Sequence, residues 1–314
     1  MDTKTTRRAK FNKFIRLLKK NKFYYFLALP GLLYFIIFHY GPMLGILMAF
    51  KDFKPFDGYM GIITGEWVGL ANFKRFFESY YFWNILRNTL VISGQKILFG
   101  FPAPIVLALL LNEVRSLRFK KVIQTISYMP HFLSMIVVMG ILRKLLAVDT
   151  GYVNYFIKMF GGEPIMFLGD ERYFRGVLVI SEIWQTVGWG TIIYLAAITG
   201  INPQLYEAAT MDGATHWQQA WHITIPSIMS VVVIMLILRV GHILDAGFGQ
   251  IFLLYSPAVY SVADIIDTFV YREGLGKMNY EYATAVGLFK SIIALIMVLG
   301  TNIITKKLGQ EGIW

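Results

Sequence analysis

Apolar residues fall along the chain in six long blocks, at 24–49, 84–111, 121–146, 176–200, 226–245 and 281–305, separated by polar stretches. Each block is near or above the ~20 residues that an α-helix needs to cross the hydrocarbon core. The pattern therefore predicts an all-α, polytopic membrane protein with six transmembrane helices. The first block reads as a retained span, because its apolar stretch is too long for a cleaved signal and no small-residue cleavage site follows. Within it, His39-Tyr40-Gly41-Pro42 predicts a kink or interruption, since proline removes a backbone donor. Pro102 and Pro104 predict the same in the second block.

Composition agrees with this picture. The 314 residues are 56% hydrophobic and 16% charged, with a mean hydropathy of +0.55; soluble domains carry roughly 45–50% apolar and about 25% charged residues. Zero cysteines exclude disulfides, thiolate nucleophiles and cysteine metal sites. A net charge of +11 could suggest nucleic acid, but the basic residues sit beside the apolar blocks, where anionic lipid explains them. Residues 1–22 hold nine Lys or Arg against the single acid Asp2. Two readings of this tail stand: a basic amphipathic helix on the membrane surface, or a positive anchor for the first span.

Charge also sets orientation. The tail, the 112–121 connection (Arg115, Arg118, Lys120, Lys121) and the C-terminal end (Lys306, Lys307) fall on one side and hold fifteen basic residues. The opposite connections, 50–83, 147–175 and 246–280, read as longer external loops with acids balancing bases. Both termini are thus predicted in the cytoplasm, with a tail at 1–23, a six-span unit at 24–305 and a short tail at 306–314. The aromatic residues of the external loops read mostly as an interfacial belt, with some forming a docking surface. The 201–225 loop is then cytoplasmic as well, although it holds Glu207 and Asp212 and no Lys or Arg. It reads as helix, turn, helix. Asn202 and Pro203 open the first helix, Gly213 sits where a left-handed cap belongs, Thr215 caps the second, and Pro226 opens the next long span.

Glu207, Ala208, Ala209, Gly213, Ile223, Ile225 and Pro226 satisfy the pattern E-A-A, three residues, G, nine residues, I-x-hydrophobic-P. This resembles the cytoplasmic loop of permease subunits in binding-protein-dependent ABC importers, with isoleucine at 225 where leucine is common. Likeness extends over nearly the whole chain, through 34–53, 99–113, 128–134, 184–197, 205–214 and 267–291, and resembles the oligosaccharide and polysaccharide permeases of the LplB type, whose relatives include permeases for alginate fragments. The resemblance implies a type I ABC importer permease fold, alternating access, and a multi-pass place in the bacterial cytoplasmic membrane. It also implies that Glu207, Ala208, Ala209, Met211, Asp212, Gly213, Ile223 and Pro226 couple the chain to separate ATPase subunits. The implied partners are a second, homologous permease, two cytoplasmic ATPases, an extracytoplasmic sugar-binding protein and an oligosaccharide. No cofactor is expected in this chain, ATP and Mg belonging to the ATPases: no G-x-x-x-x-G-K-[ST] phosphate loop occurs, and Gly274-Leu275-Gly276-Lys277 lacks the spacing. No catalytic or metal residue is expected either.

Ionisable residues inside apolar blocks cost at least ~2.5–3.5 kcal/mol each and call for a function. Arg239, His242 and Asp245 fall on one face of the fifth block, Lys290 lies within the sixth, and Gln95 with Lys96 within the second. Gln185 lies between Trp184 and Trp189 in the fourth. Gln95, Trp184, Gln185, Trp189, Arg239, His242, Asp245 and Lys290 are therefore candidate walls of a sugar pathway, and its basic members favour an acidic glycan. The alternative for the charged residues is that they satisfy one another. Two other classes compete. An ion-coupled secondary sugar carrier could use His242, Asp245 and Lys290 as a relay, but carries no use for the 201–225 loop and would more often show internal repeats. A membrane-embedded enzyme on lipid-linked glycans would need paired carboxylates or a metal cluster; Asp264 and Asp267 read as external and unsupported.

Overall fold

The computed structural model describes residues 20–307 and Gly309; the expectation for the basic tail falls mostly on residues outside these. Four helical runs are long and apolar enough to cross a membrane: α1 (Lys22–Phe50), α2 (Phe82–Glu113), α5 (Glu171–Thr199) and α11 (Tyr280–Lys307). Two further crossings are bent pairs, α3 (Leu117–Phe132) with α4 (Met135–Leu145) and α7 (His216–Ser227) with α8 (Met229–Gly241). The count of six holds when each bent pair is one span.

The third block is the clearest departure from a straight crossing. α3 and α4 meet at 104°. The chain tightens to a 3-10 turn at Met129–Phe132, carries Pro130, turns extended at Leu133 and Ser134, and restarts with Ser134 capping Val137 N–H at 3.4 Å. The fifth block departs less: Pro226 does not open its long helix but sits inside α7, and the 63° bend follows at Ile228.

Elsewhere prolines leave the helices continuous. Ile36–Tyr40, Lys96–Gly100 and Ala220–Thr224 are π-helical turns lying just before Pro42, Pro102 and Pro226. Widening the turn absorbs the missing N–H. The expected interruption at His39–Pro42 is therefore a change of winding within α1, not a break.

α2 and α5 form the centre. Thr191 Oγ1 donates to the Pro104 carbonyl at 3.2 Å, and a Cβ on Gly190 would lie 2.9 Å from the Pro104 ring. On the other side of α5, a Cβ on Gly188 would lie 2.2 Å from the Ser127 carbonyl oxygen, so α3 packs on bare backbone. At the cytoplasmic half, Ala108, Leu111, Tyr194, Leu195, Ile198 and Ile228 form one buried cluster.

The 246–280 stretch is not the outer loop its polarity suggests. It folds as α9 (Phe248–Leu254) and α10 (Ile266–Tyr271), and buries Ile251, Leu254, Val259, Ala263 and Ile265 against Ile92, Phe174 and Leu178 of α2 and α5. Ile266 and Phe269 join a second, phenylalanine-rich cluster with Phe76, Phe82 and Tyr282. The 50–83 stretch carries a two-residue antiparallel pair, β1 (Lys51–Asp52) with β2 (Glu66–Trp67). At the outer start of α5, Asp170 caps Arg172 N–H at 2.9 Å, and hydrogen bonds from Arg172 hold its carboxyl below the ordinary carboxylate range.

Candidate functional site

Lys96 lies seventeen residues before Glu113, Glu182 seventeen before Thr199, and Lys290 seventeen before Lys307, the cytoplasmic ends of α2, α5 and α11. At 1.5 Å per residue each stands ~25 Å from its helix end, so the three share one depth. That layer is ionic. Lys96 Nζ donates to Glu182 Oε2 and to Gln250 Oε1, both at 2.6 Å, and Arg239 pairs with the other oxygen of Glu182. Gln250 Nε2 in turn donates to the Leu178 carbonyl and to Ser181 Oγ, each at 2.8 Å. A neighbouring group joins Lys290 to Asp245 at 2.7 Å and to Asp267 at 2.8 Å, with His242 at 3.0 Å from Asp245.

Between the two groups the chain makes a left-handed corner, Ala246 (φ 45°) and Gly247 (φ 83°). A Cβ at Gly247 would lie 2.3 Å from Lys96 Nζ. Glycine is thus required twice here, by the backbone angle and by the ammonium. A cavity of ≈ 300 Å³ opens beside this corner, lined among others by Ser93, Lys96, Glu182, Gln185, Arg239 and His242. A larger cleft of ≈ 840 Å³, lined by Tyr271, Tyr280, Gly287 and Asp267, lies toward the outer end of α11, and Asp245 borders both.

Of the eight candidate pathway residues, Gln185, Arg239, His242 and Asp245 line the smaller cavity, and Lys290 holds Asp245 from behind. Trp189 stands one to two turns farther along the same face of α5, while Gln95 and Trp184 line neither space. Glu182, Gln250, Asp267 and Ser93 escape the pattern reading. Glu182 had a findable signal, since an arginine within the bilayer demands a carboxylate. Asp267 is neither external nor unsupported. The charges also balance: Lys96, Arg239 and Lys290 face Glu182, Asp245 and Asp267. The basic cavity offered as a reason for an acidic substrate is therefore neutralised by its own carboxylates. Among the described residues no three His, Asp or Glu side chains gather at a metal-sized site.

The 201–225 loop is a braced unit. α6 (Pro203–Met211) is capped by Asn202, which accepts from Gln204 N–H at 3.0 Å. It ends with Gly213 at φ 80°, where Ala214 N–H reaches the Ala209 carbonyl at 2.9 Å, a Schellman closure. Thr215 and Gln218 form a capping box at the start of α7. Tyr206 and Thr224 hydroxyls meet at 2.9 Å, Gln219 donates to Thr210 at 3.0 Å, and His216 pairs with Glu113 of α2 at 3.0 Å. Glu207, Ala208, Asp212 and Gly213 stay exposed, Met211 is 88% exposed, and Ala209 and Ile223 are half-buried. Pro226 is exposed at the end of α7. Loop residues tie to one another and to α2, and leave an outward face with an acid and a bare methionine.

Residues 100–310, which include this loop and the ionic layer except Lys96, match the profile of the binding-protein-dependent transport system inner membrane component family. The chain belongs to this family. It is a permease of an ABC importer, a multi-pass protein of the bacterial cytoplasmic membrane. It is 48% identical to the LplB protein of Bacillus subtilis over 95% of this chain and 92% of that one. It is 47% identical to the polygalacturonan/rhamnogalacturonan transport system permease YteP of the same organism, over 100% and 97%. A chain in the crystal structure of a bacterial ABC transporter that imports the acidic polysaccharide alginate superimposes with a TM-score of 0.88, at 41% identity over 94% of this chain and 99% of that one. A chain in the crystal structure of a bacterial alginate ABC transporter in complex with an alginate pentasaccharide-bound periplasmic protein superimposes with a TM-score of 0.87, at 41% identity over 95% of this chain and 99% of that one.

Proposed function

We propose that this permease moves oligosaccharide fragments of acidic polysaccharides into the cell, delivered by an extracytoplasmic sugar-binding protein. The observation that supports the substrate class is the likeness, over nearly the full chain, to permeases named for polygalacturonan/rhamnogalacturonan and alginate. The unit at 24–305 forms one half of the pore beside a homologous permease, with the tails 1–23 and 306–314 in the cytoplasm. Sugar passes from the outer cleft by Asp245 into the cavity at Gln185, Arg239 and His242, and on past Trp189. With charge balanced within the ionic layer, recognition here works through hydrogen bonds to hydroxyls from Gln185, His242 and the paired ions.

Drive comes from outside the chain. ATP and Mg are held by two cytoplasmic ATPases, and α6 is the coupling helix seated in one of them. Glu207 and Asp212 meet basic partner residues there, while Ala208 and Ala209 permit close approach. Closing of the ATPases on ATP pushes α6, and the bracing of α6 and α7 to α2 carries that push to the spans. In the reconstituted transporter, Glu207→Lys is expected to leave the chain inserted but to abolish stimulation of ATP hydrolysis by sugar-loaded binding protein; unchanged stimulation would remove this role from the loop.

A further inference from the structure

We propose that His131 is a positioning residue that holds Trp189 flat as a stacking surface for a sugar ring, on the cytoplasmic side of the ionic layer. The inference rests on the reading of the α5 face as pathway wall, and adds to it a residue from a different span.

The geometry starts on α5. Glu182, Gln185, Thr186 and Trp189 follow at i, i+3, i+4 and i+7, so they share a face. The first three line the cavity. Trp189 comes seven residues after Glu182, ~10 Å nearer the cytoplasmic end. Its indole is stacked on the His131 imidazole, centroids 4.7 Å apart and planes 4° from parallel. Phe132 meets the same indole edge-on at 5.8 Å and 86°. Even so, Trp189 remains 45% exposed.

The break in the third span is what delivers these rings. A straight helix through 129–135 would carry residue 131 past α5 along its axis. Instead the 3-10 turn at Met129–Phe132 and the extended Leu133–Ser134 swing the chain by 104°. Contact between bare Gly188 and the Ser127 carbonyl fixes where the turn begins, one residue from Trp189 on α5 and four from His131 on α3. Met135, just beyond the corner, reaches the cavity lining. One corner thus supplies both a wall of the cavity and the partner of Trp189.

A pyranose ring has an apolar C–H face and a rim of hydroxyls. An indole held in one plane buries that face without first losing its own rotational freedom. With no ring at 131, the indole turns about χ1 and χ2, and each sugar that passes must order it again.

The test uses the complete transporter, both permeases, ATPases and binding protein, in proteoliposomes with a uronate trisaccharide as probe. His131→Ala is expected to lower sugar delivered per ATP hydrolysed roughly three- to tenfold, the size of one aromatic pair. The concentration of loaded binding protein that half-saturates ATP hydrolysis should stay unchanged, since docking is external. His131→Phe should restore delivery to within about twofold, because it returns a ring. Trp189→Leu should reproduce the loss, and His131→Ala with Trp189→Leu should be no worse than Trp189→Leu alone. Additive losses, or failure of His131→Phe to restore, overturn the positioning role. If Trp189→Leu loses delivery while His131→Ala does not, only His131 falls. If neither variant changes delivery, the α5 pathway reading falls with it. Should His131→Ala fail to assemble with the ATPases, His131→Gln keeps the bulk without the ring and serves in its place.

Discussion

Glu182 receives two cations from two other helices, Lys96 and Arg239, within the membrane-spanning region. Removing its charge leaves both without this counter-ion, and Lys96 is buried away from water. Glu182→Gln is expected to cost about 3–5 kcal/mol, because a broken buried pair leaves its partner desolvated; unfolding of the detergent-solubilised protein measures it. Loss below 1 kcal/mol would mean that water reaches the layer freely. Arg239 bears on selectivity. Because Glu182 already takes up its charge, Arg239→Ala should reduce uptake of neutral and acidic oligosaccharides alike, and a loss confined to acidic ones would restore direct charge recognition. The cations Lys96, Arg239 and Lys290 were legible as unusual, since each interrupts an apolar block. Their partners were not. Lys96 and Gln250 are 154 positions apart, and no local pattern encodes which of several membrane ions meet.

At the scale of elements, glycines decide more than prolines. The prolines of α1 and α2 are absorbed by π turns, whereas Gly188 lets two helices meet backbone to backbone. Gly188→Val should force α3 away from α5, since a carbonyl 2.2 Å from the new Cβ cannot rotate aside. A longer distance between spin labels placed on α3 and α5, at positions other than 127 and 188, would report it, and an unchanged distance would refute it. In the 201–225 loop Gly213 is different: it has a φ of 80° and no atom within 4 Å of a Cβ. Its substitution costs backbone strain alone, ~1–2 kcal/mol for a branched residue. Gly213→Val should impair ATP-driven uptake while Gly213→Asn, which tolerates this conformation, retains most of it. Equal defects would point to a contact with the ATPase. The caps of α6 and α7 could be read from Asn202, Pro203, Gly213 and Thr215, because capping is local chemistry. The corner at Pro130 was less legible. A proline marks a possible bend, but the neighbours that cover the freed groups determine whether the helix absorbs it or breaks.

For the whole molecule, α1 shows how incomplete one chain is: along its most apolar stretch only 6% of residues are buried. Lipid or protein outside this chain must cover the rest. With the energy source proposed to lie outside the chain, vanadate should stop uptake by the assembled transporter, while a protonophore should not under conditions that keep ATP constant. The reverse result would favour ion coupling through His242, Asp245 and Lys290.

Hydrophobic period and the capping residues were enough to specify an all-α membrane domain and the helix-turn-helix of the 201–225 loop, because each depends on residues within a few turns of one another. Tertiary structure alone decided that the 246–280 stretch returns into the domain, that Lys96, Arg239 and Lys290 meet carboxylates, and that His131 faces Trp189. These follow from close packing of distant segments, in which desolvation forces every buried charge to find a partner and the apolar faces of several helices select which partner that is.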